Sequence, residues 1–132
     1  MILLIALAAL MFSYLLNKWM LRLLREHAAI LGASIIEEIL KTLPAYFLNR
    51  PILHVHFLFG LGEALYDFAS GSRHSGRWAA VLSIISHLVF GAITWLVLSK
   101  TGVIYLALAS AMVIHGAWNY FILKGVNKDK KG

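Results

Sequence analysis

The sequence predicts an all-α polytopic membrane bundle of about five transmembrane helices. Three observations predict it. Of the 132 residues, 61% are hydrophobic and only 14% charged, against roughly a quarter charged in an ordinary soluble domain. Mean hydropathy is +0.79. The apolar residues also fall into five runs, each close to the ~20 residues that an α-helix needs to cross a bilayer. A soluble domain this small has too much surface per unit volume to hide so much hydrocarbon, which excludes a soluble enzyme and a disordered tail. With no cysteine in the chain, a disulfide scaffold, a thiolate nucleophile and a cysteine metal site are excluded too. The alternating pattern of a membrane β-barrel is missing.

Residues 1–132 read as a single integral membrane domain. The first span, 2–24, has no basic stretch before it and no small-residue cleavage site after it, so it is expected to be a retained helix. The second, 27–48, is apolar except for Glu37, Glu38 and Lys41. Pro44 is expected to end or kink it, since proline removes a helix hydrogen bond. The third, 52–69, follows Pro51 and carries His54, His56, Glu63 and Asp67. Spans 78–99 and 102–123 are separated only by Lys100, Thr101 and Gly102, which predicts an antiparallel hairpin. Residues 124–132 read as a short solvated tail.

Charge placement orients the bundle. With five spans, one side receives Lys18, Arg22, Arg25, Arg73, Arg77, Lys124, Lys128, Lys130 and Lys131; the other receives Arg50 and Lys100. The positive-inside rule then puts the N-terminus outside and the C-terminus in the cytoplasm. The net charge of +6 is explained by juxtamembrane anchors facing anionic lipid and calls for no nucleic acid.

Ionisable groups within a span are costly and mark function. Counted from each span's cytoplasmic end, Glu38 lies roughly 16 Å deep, His87 roughly 13 Å, His115 roughly 12 Å and Glu63 roughly 9 Å. Four spans thus bring carboxylates and imidazoles to a similar layer. Glu37 and Lys41 share a helix face and can pair, although Lys41 could instead reach toward the outer interface. Glu63 with Asp67, and His115 with Asn119, repeat the i, i+4 spacing. Gly32, Gly60, Gly62 and Gly116 permit close helix approach beside these groups. The bland reading makes Glu63 and His87 structural hydrogen-bonding partners. His54 and His56, near the outer interface, are expected to be non-catalytic, and His27 and His74 to be inert loop residues. Trp19, Trp78 and Trp118 read as interfacial or packing aromatics, and Trp95 as facing lipid or a neighbouring helix.

In order along the chain, Glu37 to Lys41 reads EExxK, Phe59 to Glu63 FxxxE, His87 to Gly91 HxxxG, and His115 to Asn119 HxxxN. This series, over about residues 30–123, resembles the PrsW family of intramembrane proteases, within the larger group of CAAX-type and bacteriocin-processing proteases. The resemblance implies an intramembrane endopeptidase acting on a membrane-anchored protein or peptide, in a prokaryotic-type plasma membrane. It implies that Glu37 is the general base on a water, that His115 and Asn119 bind the carbonyl and its developing oxyanion, and that Glu63 and His87 orient the water or complete the site. Glu38 is counted with them, and Lys41 supports them. A desolvated carboxylate is a stronger base, and donors preorganised in a low dielectric stabilise an oxyanion.

Metal-free chemistry is the preferred reading, and the HExxH signature of familiar zinc proteases is absent. Were a divalent metal bound, Glu37, Glu63, His87 and His115 would be its candidate ligands. Family members usually have more spans, so a bundle this small leaves room for a homodimer. Two rival functions are a non-enzymatic scaffold binding partner helices, and a small carrier with a Glu/His ion site.

Overall fold

The computed structural model describes residues 1–24, 26–71 and 73–129, and their side chains apart from those of 26–29, 73, 74, 123 and 125–129. The described residues form five helices: α1 (Ile2–Leu23), α2 (Glu26–Phe47), α3 (Ile52–Ser70), α4 (Arg73–Thr101) and α5 (Ile104–Asp129). Among the described residues there is no strand. Arg25, Lys130 and Lys131 of the basic side lie outside the described residues, as do the side chains of His27, Arg73, His74 and Lys128.

The first three helices follow the apolar runs to within a residue or so. The last two run past theirs. α4 begins at Arg73, and α5 continues through the expected solvated tail to Asp129. Hydropathy marks where apolar character stops, whereas backbone hydrogen bonding carries on through good polar helix formers such as Lys and Arg.

Of the two outcomes expected at Pro44, an end or a kink, the end does not occur: the helix runs through it to Phe47. Proline gives up only its own N–H, and its carbonyl still accepts from Leu48 N at 3.0 Å. The stop comes one turn later. Asn49 takes the left-handed conformation (φ 51°). Arg50 N then bonds Ala45 O at 2.7 Å and Asn49 N bonds Tyr46 O at 3.0 Å, which is the Schellman closure of a helix C-terminus. Pro51 follows and starts α3, its carbonyl accepting from His54 N and Val55 N. The α4–α5 hairpin forms where expected. Gly102 turns the chain at φ 67°, a conformation that glycine adopts without steric cost, and Thr101 Oγ1 accepts from Val103 N at 3.1 Å.

Neighbouring helices form a ring, α1–α2–α5–α4–α3 and back to α1, with α2 also touching α3 across the middle. The α3–α4 pair is the most extensive. Glycines set its closeness: a methyl on Gly60 would lie 2.8 Å from His87 Cβ, and one on Gly91 would lie 2.8 Å from His56 Cβ.

Polarity is inverted relative to a water-soluble bundle. Ser34, Glu38, Lys41, Thr42, His56 and Thr94 are fully buried, and Lys41 is the largest side chain buried so completely. Meanwhile Phe47, Leu65, Phe68, Tyr105, Val113 and Phe121 are exposed, as are Trp19, Trp78 and Trp95. A small apolar cluster of Ile5, Ala6, Ala45, Ile52 and Val55 closes one end. Two helical segments, Ile2–Leu23 and Ser75–Thr101, are long and apolar enough to cross a membrane.

Candidate functional site

The site grows from one stripe of α2. Ser34, Glu37, Glu38, Lys41, Thr42 and Ala45 recur at intervals of three and one, so they share a face of a 3.6-residue helix, and all six are buried. Ile35 and Ile39 on the opposite face are exposed. Facing the stripe are His56, Phe59 and Glu63 of α3, Ser83 and His87 of α4, and His115 and Asn119 of α5. Asn17 of α1 completes the circle.

Glu38 is the hub. Its Oε1 accepts from Lys41 Nζ at 2.7 Å and from His115 Nδ1 at 2.8 Å. Lys41 Nζ also lies 3.0 Å from His87 Nδ1 and 4.4 Å from the centre of the Phe59 ring. An ammonium can only donate, so His87 Nδ1 accepts and its Nε2 carries the hydrogen. That Nε2 donates to Glu63 Oε2 at 2.5 Å, and Ser83 Oγ donates to the same oxygen at 3.3 Å. The result is a continuous run from His115 through Glu38, Lys41 and His87 to Glu63. Unpaired charges at such depth would cost several kcal/mol each, and the run leaves none of its charged groups alone. Aromatic rings hold the imidazoles in place. Phe90 stacks on His115 at 4.4 Å, and Phe59 meets His87 edge-on at 5.0 Å. The two imidazoles are perpendicular, 5.3 Å apart.

Glu37 stands beside this run and points elsewhere. Asn17 Nδ2 donates to its Oε1 at 2.9 Å. Its Oε2 lies 3.6 Å from His115 Nε2, too far for a direct hydrogen bond and close enough for both atoms to share one water. Both groups line a cavity of about 210 Å3, together with Glu63, His87, Trp118 and Asn119. Asn119 is held there by donating from Nδ2 to Ser34 Oγ at 3.1 Å, while Ser34 donates to Ile30 O. One amide N–H of Asn119 stays free to donate. The cavity therefore presents a carboxylate, an imidazole nitrogen and an amide donor around a space that takes water.

Six of the residues singled out in the sequence come together: Glu37, Glu63, His87, His115 and Asn119 at the cavity, with Glu38 behind them. Glu38 does not line the cavity and acts on it through His115. Asp67 lines the cavity as well. Lys41 pairs with Glu38 and not with Glu37, and it does not reach outward, because its whole side chain is buried. The i, i+3 neighbour lies on the buried stripe, while the Glu37 oxygens are turned toward Asn17 and His115.

His56 joins the buried polar cluster. It is fully buried, bonded through Nε2 to Thr42 Oγ1 at 3.1 Å and 3.8 Å from Glu38 Oε2. His54, two residues earlier and on the opposite side of α3, is exposed. The missed signal was the register: His56, Phe59, Gly60 and Glu63 recur at intervals of three and four. Asn17, Thr42, Ser34 and Ser83 were missed because isolated small polar residues in apolar helices carry no spacing signal of their own.

Ligand atoms of Glu37, His87 and His115 lie within 4.8 Å of one another, close enough for one metal ion. Glu63, the fourth candidate, bonds His87 instead. Ligation through His87 would require it to release Lys41 or Glu63, since both ring nitrogens are engaged. The donor set suits a divalent ion and the surrounding hydrogen bonds oppose it.

Comparison of the chain with protein-family models, curated proteins and solved structures gives no match.

Proposed function

We propose that this chain is an intramembrane endopeptidase of the PrsW type that uses Glu37 as general base. Its setting is a prokaryotic-type plasma membrane, crossed five times, with the N-terminus outside and the C-terminus in the cytoplasm. The inverted polarity supports that setting, since exposed Leu, Phe, Trp and Val suit hydrocarbon and the buried Glu38, Lys41, His87 and His115 pair with one another. The candidate substrate is a membrane-anchored protein or peptide, cut in the cytoplasmic half of the bilayer.

One observation carries the reading: Glu37 Oε2 and His115 Nε2 face each other at 3.6 Å in a cavity that Asn119 also lines. A water between them gives its proton to Glu37 as its oxygen attacks the substrate carbonyl. His115, set between Glu37 and Glu38, donates from Nδ1 to Glu38 and turns Nε2 toward the water. The free amide N–H of Asn119 donates to the developing oxyanion. The C–N bond then breaks, and the proton on Glu37 passes to the leaving amine. Glu38, Lys41 and His87 are positioning residues that fix the orientation of His115 and Glu63.

The test reconstitutes the full chain in vesicles with a mixture of single-span peptides and reads products by mass spectrometry. Cleavage by the wild-type chain that is lost in Glu37→Gln and in His115→Ala is the expected result. Wild-type rates in both variants would overturn it. A stable complex with a peptide and no product would favour the scaffold. A metal-assisted variant rests on the Glu37, His87 and His115 grouping. Elemental analysis decides it: a stoichiometric divalent ion, lost in His87→Ala and His115→Ala, would transfer the chemistry to that ion.

A further inference from the structure

A second, larger cavity of about 1040 Å3 lies between α1 and α3, walled by Leu7, Leu10, Met11, Phe59 and other apolar groups. Ser13 and Asn17 of α1 are among its lining residues. Ser13 is 3% exposed, yet its hydroxyl has no hydrogen-bond partner. Asn17 Oδ1 is likewise buried without a partner, because a carboxylate only accepts and Glu37 therefore takes the Nδ2 side. Buried polar groups left unpaired are rare and costly, so an unpaired O–H donor and an unpaired C=O acceptor on two residues that line one groove point to a ligand. Glu63 lines both this groove and the smaller cavity, and Asn17 touches Glu37, so the groove leads to the proposed catalytic carboxylate.

We propose that the α1–α3 groove binds the main chain of an extended peptide segment, with Ser13 donating to a backbone carbonyl and Asn17 accepting from a backbone N–H. This rests on the endopeptidase reading and specifies its substrate: a segment that is unwound where it binds, since the amides of a helix are already bonded to one another. The spacing agrees. Residues four apart on α1 rise about 6 Å, and residues two apart on an extended chain rise about 6.6 Å. Lys18 and Arg22 also line the groove. A phosphatidylcholine is the competing occupant. It has no N–H or O–H to donate, so it leaves Asn17 Oδ1 unpaired.

The experiment measures fluorescence anisotropy of a labelled hexaleucine amide, and of the same hexamer with two central amides replaced by esters, on the full chain in detergent micelles. Mass spectrometry of the recovered probe reads cleavage separately. The amide is expected to bind about fivefold more tightly than the ester, and Ser13→Ala to weaken the amide about fivefold. Ser13→Ala is also expected to raise the melting temperature of the ligand-free chain by about 3 °C, because it removes an unpaired buried hydroxyl. A purely structural Ser13 would lower it. Equal binding of amide and ester, an unchanged amide affinity in Ser13→Ala, or binding of dioleoyl phosphatidylcholine in place of the peptide overturns the proposal. Amide preference without cleavage of any substrate supports the groove and counts against the endopeptidase reading. Cleavage without amide preference does the reverse.

Discussion

Replacing Lys41 by methionine tests whether the buried run is a working unit of the fold. Methionine keeps the length and apolar stem of the side chain and removes the ammonium. Glu38 Oε1 then loses its 2.7 Å partner and keeps His115, while His87 Nδ1 loses its only donor. Breaking one side of a buried ion pair costs about 3–5 kcal/mol. Because Glu38 keeps one donor, the lower end applies, about 3 kcal/mol, with about 1 kcal/mol more for the bond lost at His87. At about 3 °C per kcal/mol for a chain of this size, the total of about 4 kcal/mol lowers the melting temperature by about 12 °C. Thermal unfolding of the purified full chain in detergent micelles reads this directly. The double variant Lys41→Met/Glu38→Gln removes both charges and is expected to recover at least half of the loss, since deleting both members of a buried pair is often close to neutral. A single variant within about 2 °C of wild type, or a double variant less stable than the single, would refute the assignment of Glu38 and Lys41 as mutual partners.

Other outcomes follow from the same geometry. Gly91→Ala drives a methyl against His56 Cβ and should cost about 1–3 kcal/mol by melting, as overpacking does. Gly116→Ala, which meets only the flexible end of Leu31, should cost less. Glu37→Gln should abolish cleavage with little change in melting temperature, whereas Glu38→Gln should lower both, because Glu38 holds Lys41 and His115 together. Asn17→Ala frees Glu37 Oε1 and should slow cleavage about tenfold by loss of one orienting hydrogen bond, with the cleavage position unchanged on mass spectrometry.

Much of the fold was legible because apolar runs and helix lengths coincide here, and the Lys100–Gly102 step leaves room only for a hairpin. The ends were less legible. Asn49, in a left-handed turn, stops α2 in place of Pro44, and the end of α5 is polar. The convergence of Glu38, Glu63, His87 and His115 could be anticipated from matching depths, since helices rise at a fixed rate. Depth, however, says nothing of rotation about the helix axis. That is why depth alone leaves Lys41 open between Glu37 and the outer interface, when the structure turns it to Glu38, and why depth does not separate His54 from His56, which two residues put on opposite faces. Asn17 lies on α1, outside every motif, and only tertiary packing brings it to Glu37.

The most direct test of the central claim, that Glu37 activates water, is a single turnover in oxygen-18 water with excess enzyme in vesicles. The account predicts that the new product carboxylate carries one oxygen-18 from the first turnover, that Glu37 stays unlabelled, and that Glu37→Gln forms no product. Unlabelled product with the label in Glu37, or undiminished cleavage by Glu37→Gln, would contradict it.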